Sequence, residues 1–484
     1  MLNDPIDEAV ASVPDRVAFI TDDGTTTFRE LADAIASACT MLADRGVGAG
    51  DRVALIAAAS PGAAVAVLAC ARLGAAAVPM SPLLTTAEID AVARAAACGR
   101  TVVADPDFAP AARAVFNGDP IDTSDLGRAT GTAADATAAA AAGTGPRDDD
   151  VALVLLTSGT TGTPKPIPMS HALLAGRIRS FSAPPDPNGA PAVAIVCVPF
   201  HHVAGLIGVL VGLAGGNTSV LQPRFDAGRW LDLVREHRVQ RAFLVPAMLS
   251  RILDHPRFPE ADLASLQMIT YGAAGAPADL VERAVEAMPH VAFVNVFGQT
   301  ETIGAVTALG PDDHRAGRAG SVGRPMPGVD IRIVDPATGA DVADGDTGEF
   351  WVRSPHTTSK DWVRSGDLVR RDAGGYLYAV GRLSDVINRG GEKIDPAEVE
   401  AVLRAHPEVI DAAVFAVDDD VLGQRVAAAV ASNGTPTEEE VRAWCASRLA
   451  RFKVPDAIVF VAEIPLTELG KVSRKALARL VERQ

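Results

Sequence analysis

The chain has 484 residues, 48% of them apolar, with 43 glycines and 33 prolines. That is too long for one ordinary core, enough for two or three packed units, and too rich in core-forming residues for a largely disordered chain. A net charge of −16 argues against a general binder of nucleic acid or of anionic membranes, whose surfaces would repel the chain as a whole.

In chain order, Phe28 to Ala43 carries helical apolar spacing that ends near Gly46, and Arg52 to Ala57 reads as a buried strand. Alternation of helix and strand continues through Ala63 to Val78, which predicts an α/β fold in layers. Ala129 to Gly145 is nearly all Ala, Thr and Gly, with Asp135 its only charge; it reads as a linker or a helix, and a surface connection is favoured because a strand follows. Val151 to Leu156 is a predicted strand, and Ala192 to Leu213 reads as a buried strand plus helix, because Pro199 and His201-His202 interrupt it too early for a membrane span. Near the end, Asp395 caps a predicted helix with Pro396 in its first turn, followed by strands over Ala412–Val417 and Arg425–Val430. Thr437 to Glu440 forms a capping box for a second helix, and Ala457 to Val461 is a further strand.

The five cysteines (Cys39, Cys70, Cys98, Cys197, Cys445) are odd in number and scattered, which indicates neither a disulfide framework nor a zinc site and fits a reducing compartment. The opening Met1-Leu-Asn-Asp-Pro lacks a basic segment followed by an apolar run, so no secretory signal is expected and the predicted location is cytoplasmic. A basic end containing Arg451, Lys453, Lys471, Arg474, Lys475 and Arg483 reads, taken alone, as a solvated helical face.

The strand at 151–156 runs into Thr157-Ser158-Gly159-Thr160-Thr161-Gly162-Thr163-Pro164-Lys165. Its glycines permit close backbone approach, its hydroxyls and Lys165 suit phosphate oxygens, and the Pro164-Lys165-Pro166 ending excludes the ordinary P-loop. A polar turn without a ligand is the bland alternative. Further blocks are Pro199-Phe-His-His-Val-Ala-Gly-Leu206, Tyr271-Gly-Ala-Ala-Gly-Ala-Pro277, Phe297-Gly-Gln-Thr-Glu301, Ser365-Gly-Asp-Leu368, Gly381-Arg382, Ile387-Asn-Arg-Gly-Gly-Glu-Lys-Ile394 and Pro465-Leu-Thr-Glu-Leu-Gly-Lys471.

In this order, and over nearly the whole chain, the blocks resemble the adenylate-forming family of acyl-CoA synthetases, luciferases and peptide-synthetase adenylation domains. The Ile387 to Pro396 stretch is most similar to the acyl-CoA synthetase branch, and Ala204-Gly205-Leu206 lacks the Asp that amino acid adenylation domains place there. The resemblance implies a large layered α/β N-terminal domain, about 1–383, and a small mobile α+β C-terminal domain, about 384–484. It implies ATP, Mg²⁺ and coenzyme A as cofactors, with the 157–165 loop on the phosphates, Thr300 on the α-phosphate and Glu301 on the metal. Ala274, Gly275, Ala276, Phe297 and Gly298 would face adenine, Asp367 the ribose, Arg382 the ribose or a phosphate, and Gly390-Gly391 the entering thiol.

Catalysis would fall to Lys471, a cation between two anions that must meet, to Glu301, and to His202 at the mouth of the acyl site. Expected pocket walls are His202, Tyr271 to Ala273 and Gln299 to Ala305. The expected activity is activation of a simple carboxylic acid as acyl-AMP, then transfer to coenzyme A. Loading of a carrier protein or another nucleophile is the alternative, and a non-catalytic nucleotide-binding relative is disfavoured by the intact acidic and basic positions. Departures from the pattern are Ser384 and Asp385 at the hinge, a shortened segment between Gly348 and Asp367, and Pro166 where Gly is common.

Overall fold

The computed structural model describes residues 1–127, 145–158, 164–419, 421–434, 436–467 and 472–481. Most of the surface connection expected over 129–145 lies outside these.

Helix Pro61–Arg72 sets the centre of the N-terminal part. It is built of Ala, Val, Leu, Cys and Gly on every side, and Gly62 through Ala71 are all buried, as a helix without a polar face must be. With helix Phe28–Asp44 and helix Val203–Ala214 it forms a core shared by two sheets. One sheet has six strands in the order 121–122, 102–104, 52–56, 76–80, 151–158, 164–170. The other has nine, in the order 324–325, 304–309, 292–299, 268–272, 241–244, 193–196, 218–221, 17–21, 24–27. Both are parallel through their centres; the nine-stranded sheet is antiparallel at both rims, and the six-stranded sheet only where 151–158 pairs with 164–170.

Strand Pro164–Ser170 is a sheet edge. Pro164, Pro166 and Pro168 alternate along it, so the residues without N–H share the side that has no neighbour. Pro166, which stands where Gly is common, is thus a member of the edge strand opposite Leu156.

A four-stranded antiparallel sheet follows at 330–334, 347–353, 363–371 and 377–382, closed over Ile333, Phe350, Val352 and Val369. The C-terminal unit is a separate sheet made of hairpin 387–394, long strands Val409–Asp419 and Gly423–Ser432, and Ala457–Val461. Alternation decides its two faces. Ala412 and Val414 pack under helices Pro396–Arg404 and Glu438–Ala446, while Ala413 and Phe415 face Ile464 and helix Arg474–Val481. The Asp395 cap and the Thr437–Glu440 capping box are both present. Among the described residues no helix is long and apolar enough to cross a membrane.

Candidate active site

Parallel strands leave their C-terminal ends open to ligands where neighbouring connections diverge. The predicted blocks at 157–165, 199–206, 271–277 and 297–301 lie at such ends, whereas 365–368 and 381–382 stand on an antiparallel pair. Strand Val151–Ser158 delivers the Gly/Thr loop, with Thr157 opposite Lys165 across the hairpin; Thr157 is half-buried and Lys165 exposed. The intervening Gly159, Thr160, Thr161 and Gly162 lie outside the described residues, as does Lys471. This strand packs against the single helical turn Thr300–Thr302, which carries Glu301.

The Glu301 turn has an unusually full hydrogen-bond account. The Thr302 hydroxyl accepts from the Gln299 N–H, and its single proton is shared between the carbonyls of Gly304 at 2.6 Å and Gln299 at 3.0 Å. Ile303 N–H bonds the Thr300 carbonyl. Both the N–H and the hydroxyl of Thr358 donate to the Glu301 carbonyl, at 3.0 and 3.1 Å. Arg177 adds two more, donating from Nε to Ile303 O at 2.8 Å and from a terminal nitrogen to Ala305 O. Ile303 has φ +49°, a left-handed conformation that a β-branched residue adopts at a cost of about 1–3 kcal/mol, and such strain persists only where the surroundings fix it. Gly298 is required for the same reason of space: a Cβ there would lie 2.0 Å from the Gly304 carbonyl oxygen. The half-buried Glu301 carboxylate is therefore borne on a turn whose Thr300, Glu301, Ile303 and Gly304 carbonyls are hydrogen-bonded.

No three His, Cys, Asp or Glu side chains converge among the described residues. A single carboxylate such as Glu301 suits Mg²⁺, which keeps several waters and would be held largely by the phosphate oxygens of a nucleotide.

Half-buried Ala274 and Ala276, with exposed Gly275, follow the end of strand Met268–Gly272, beside Phe297 on strand Ala292–Gln299. The Phe297 ring lies 5.7 Å from that of Phe350, which backs it from the four-stranded sheet. Tyr271 departs from its expected place in the pocket wall. Its side chain is wholly buried and its hydroxyl bonds His314 Nε2 at 2.9 Å, so it belongs to the core. Asp367 and Arg382 face each other across paired strands and form an ion pair of 2.9 Å, the carboxylate nearly buried and the guanidinium half-exposed.

His201 and His202 stand with ring centres 4.2 Å apart. His201 is buried, whereas His202 is half-buried and precedes the first turn of helix Val203–Ala214. That helix packs against strand Gly304–Leu309, which continues from the Glu301 turn. A cleft of about 640 Å³ borders Cys197 and Pro199 on one side and Glu463, Ile464, Pro465, Leu466 and Thr467 on the other. The approach to Lys471 thus meets the N-terminal part, while Gly390 and Gly391 are exposed at the tip of their hairpin with φ +60° and +97°.

Residues 6–360 match the AMP-binding enzyme family, and residues 398–471 match the C-terminal domain of AMP-binding enzymes. The chain belongs to the AMP-binding enzyme family. This AMP-binding enzyme is an adenylate-forming ligase with the two-part architecture of its relatives. It is 33% identical over 470 residues to a feruloyl-CoA synthase from Amycolatopsis, covering 94% of this chain and 93% of that one. Among solved structures it is similar to the Bacillus subtilis o-succinylbenzoate CoA synthetase with an acyl-adenylate intermediate, at a TM-score of 0.83 and 26% identity over 98% of this chain and 97% of that one. It is equally similar to the amide bond synthetase McbA from Marinactinospora thermotolerans, at a TM-score of 0.82 and 26% identity over 99% and 100%.

Arg177 and Thr358 were not legible as site residues. The one available signal is that Arg177 falls on the buried stripe of its helix, with His171, Leu174 and Ile178, where a cation is out of place.

Proposed function

We propose that this chain is an ATP-dependent acid-thiol ligase that makes an acyl-adenylate and passes the acyl group to coenzyme A. The observation that carries this reading is the near-full-length match to a feruloyl-CoA synthase, joined to a Glu301 turn made rigid by its own hydrogen bonds. In the first half-reaction an oxygen of the substrate carboxylate attacks the α-phosphorus of ATP. An O–P bond forms, the bond to the departing oxygen breaks, and pyrophosphate leaves. Lys471 lies between the two anions and stabilises the charge that develops as they meet.

Thr157 to Lys165 hold the phosphates, Thr300 the α-phosphate, and Glu301 the Mg²⁺, which when bound neutralises phosphate charge. Asp367, kept in place by Arg382, accepts from the ribose hydroxyls, and the Ala274–Ala276 backbone, Phe297 and Gly298 flank adenine. In the second half-reaction the thiol gives its proton to solvent and its sulfur attacks the acyl carbon beside His202; a C–S bond forms, the C–O bond to the phosphate breaks, and AMP leaves with that oxygen. We place the pivot between the half-reactions after Arg382, at Ser384 and Asp385, dividing 1–383 from 384–484. The meeting of residues 463–467 with the N-terminal part and the exposure of Gly390-Gly391 support assigning this arrangement to the first half-reaction.

The similarity to an amide bond synthetase favours a second reading, in which the acceptor is an amine or another nucleophile, including a carrier protein. Competition between coenzyme A and small amines for a preformed acyl-adenylate separates the two. Thioester as the dominant product supports the first reading, and amide formed while coenzyme A is left unused overturns it.

A further inference from the structure

Arg177 is 4% exposed, and burial pulls its pKa down to about 10. Its guanidinium lies over the Phe181 ring at 4.2 Å, and two of its nitrogens donate to Ile303 O and Ala305 O. A desolvated cation is costly unless its charge is answered. Here the answer comes from backbone carbonyls of the Glu301 turn, one of them on the residue held at positive φ. The planar fork of arginine reaches two carbonyls that are two residues apart, which a lysine ammonium cannot do with the same geometry. Thr358 supports the same turn through the Glu301 carbonyl itself.

We infer that Arg177 is a positioning residue for adenylation, which together with Thr358 holds the Gln299–Ala305 turn in the shape that presents Glu301 to the nucleotide-bound metal. The inference rests on the reading of Glu301 as metal ligand. Arg177 touches neither ATP nor acid and acts through Glu301, so its effect belongs to the metal-dependent share of nucleotide affinity.

Calorimetric titration of the full chain with ATP, in Mg²⁺ and again in EDTA, tests this for Arg177→Lys, Arg177→Met, Thr358→Val, Glu301→Gln and the Arg177→Lys/Glu301→Gln double variant. Loss of charged hydrogen bonds to the turn is expected to weaken ATP binding in Mg²⁺ about tenfold for Arg177→Lys and more for Arg177→Met. Thr358→Val, which keeps its N–H bond, should weaken it about threefold. Binding in EDTA should stay within about twofold of wild type, and the Arg177→Lys effect should vanish in the Glu301→Gln background, because the two act on one contact. Should Arg177→Met fail to fold, the Lys and Thr358 variants still decide. Equal weakening with and without metal, or an undiminished Arg177→Lys effect beside Glu301→Gln, would mark a merely structural role and overturn the inference. A Glu301→Gln variant with unchanged metal dependence overturns the ligand reading and the inference with it. A metal-sensitive Glu301→Gln beside unaffected Arg177 and Thr358 variants overturns the inference alone.

Discussion

Single side chains carry the chemistry, and each proposed role has its own signature. Replacing Lys471 by alanine removes the cation between carboxylate and α-phosphate, so acid-dependent ATP–pyrophosphate exchange should fall by about 10²–10³-fold, the usual scale for one electrostatic transition-state contact. Thioester formation from supplied acyl-adenylate should survive, because that step does not bring the two anions together; unchanged exchange would take Lys471 out of its role. Asp367→Asn removes the charge that strengthens hydrogen bonds to the ribose while leaving the shape. A loss of about 1.5–3 kcal/mol is expected, read as a roughly 10–100-fold fall in kcat/KM for ATP with little change in KM for the acid. At this scale the sequence offers a reading only where a motif names the residue, as for Asp367 and Arg382, which pair across adjacent strands, and Glu301, which stands on a turn. It was silent on Arg177 and Thr358, whose partners in the Glu301 turn lie 126 and 57 residues away in the chain. Contacts of that span are invisible to local patterning.

At the scale of elements, strand Ala292–Gln299 and strand Gly304–Leu309 must approach closely for the turn between them to bear Glu301. Gly298→Ala sets a methyl against the Gly304 carbonyl and should destabilise the protein by about 1–3 kcal/mol, as overpacking does. ATP affinity should fall with it, because the turn has to open; a thermal melt and a binding titration within error of wild type would show that the approach is not needed. Local chemistry made most elements legible, since caps and periodicity act over a few residues. Thr437 with Glu440, and Asp395 with Pro396, start their helices where capping chemistry places them. The strands predicted at 412–417 and 425–430 run longer, over Val409–Asp419 and Gly423–Ser432, because they pair with each other along their whole length. Pairing of this kind extends a strand through polar residues such as Asp418 and Gln424 that local propensity would exclude. Tyr271 was misplaced because a tyrosine at a strand end looks the same in sequence whether it faces a ligand or a buried His314.

For the molecule as a whole, two buried histidines tie stability to pH. Burial holds His171 and His314 below the ordinary value of 6.5, His171 further lowered by the N-terminal ammonium. His171 Nδ1 accepts from Leu2 N–H, and His314 sits between the Gly310 carbonyl and the Tyr271 hydroxyl. Above pH 6.5 both are neutral in the folded and unfolded chain and add no slope. As pH falls below 6.5 the unfolded chain takes up protons that the folded one refuses, so stability declines by at most about 1.4 kcal/mol per pH unit for each histidine until its folded pKa is reached. Melting temperatures measured from pH 7.5 to 5.5 should therefore fall on the acid side, and His171→Gln with His314→Gln should flatten that fall; an unchanged slope in the double variant would contradict the assignment. The two-part architecture was legible because the motif blocks span nearly the whole chain, whereas the acid is not, because the pocket is assembled from a helix, a strand end and a turn that are distant in sequence. The most direct test of the central claim is ATP–pyrophosphate exchange by the full chain across carboxylic acids of aryl, short-chain and long-chain type. Exchange that depends on added acid and on Mg²⁺, and that falls about 10²–10³-fold in Lys471→Ala, is the predicted result. Absence of acid-dependent exchange with every acid would contradict it.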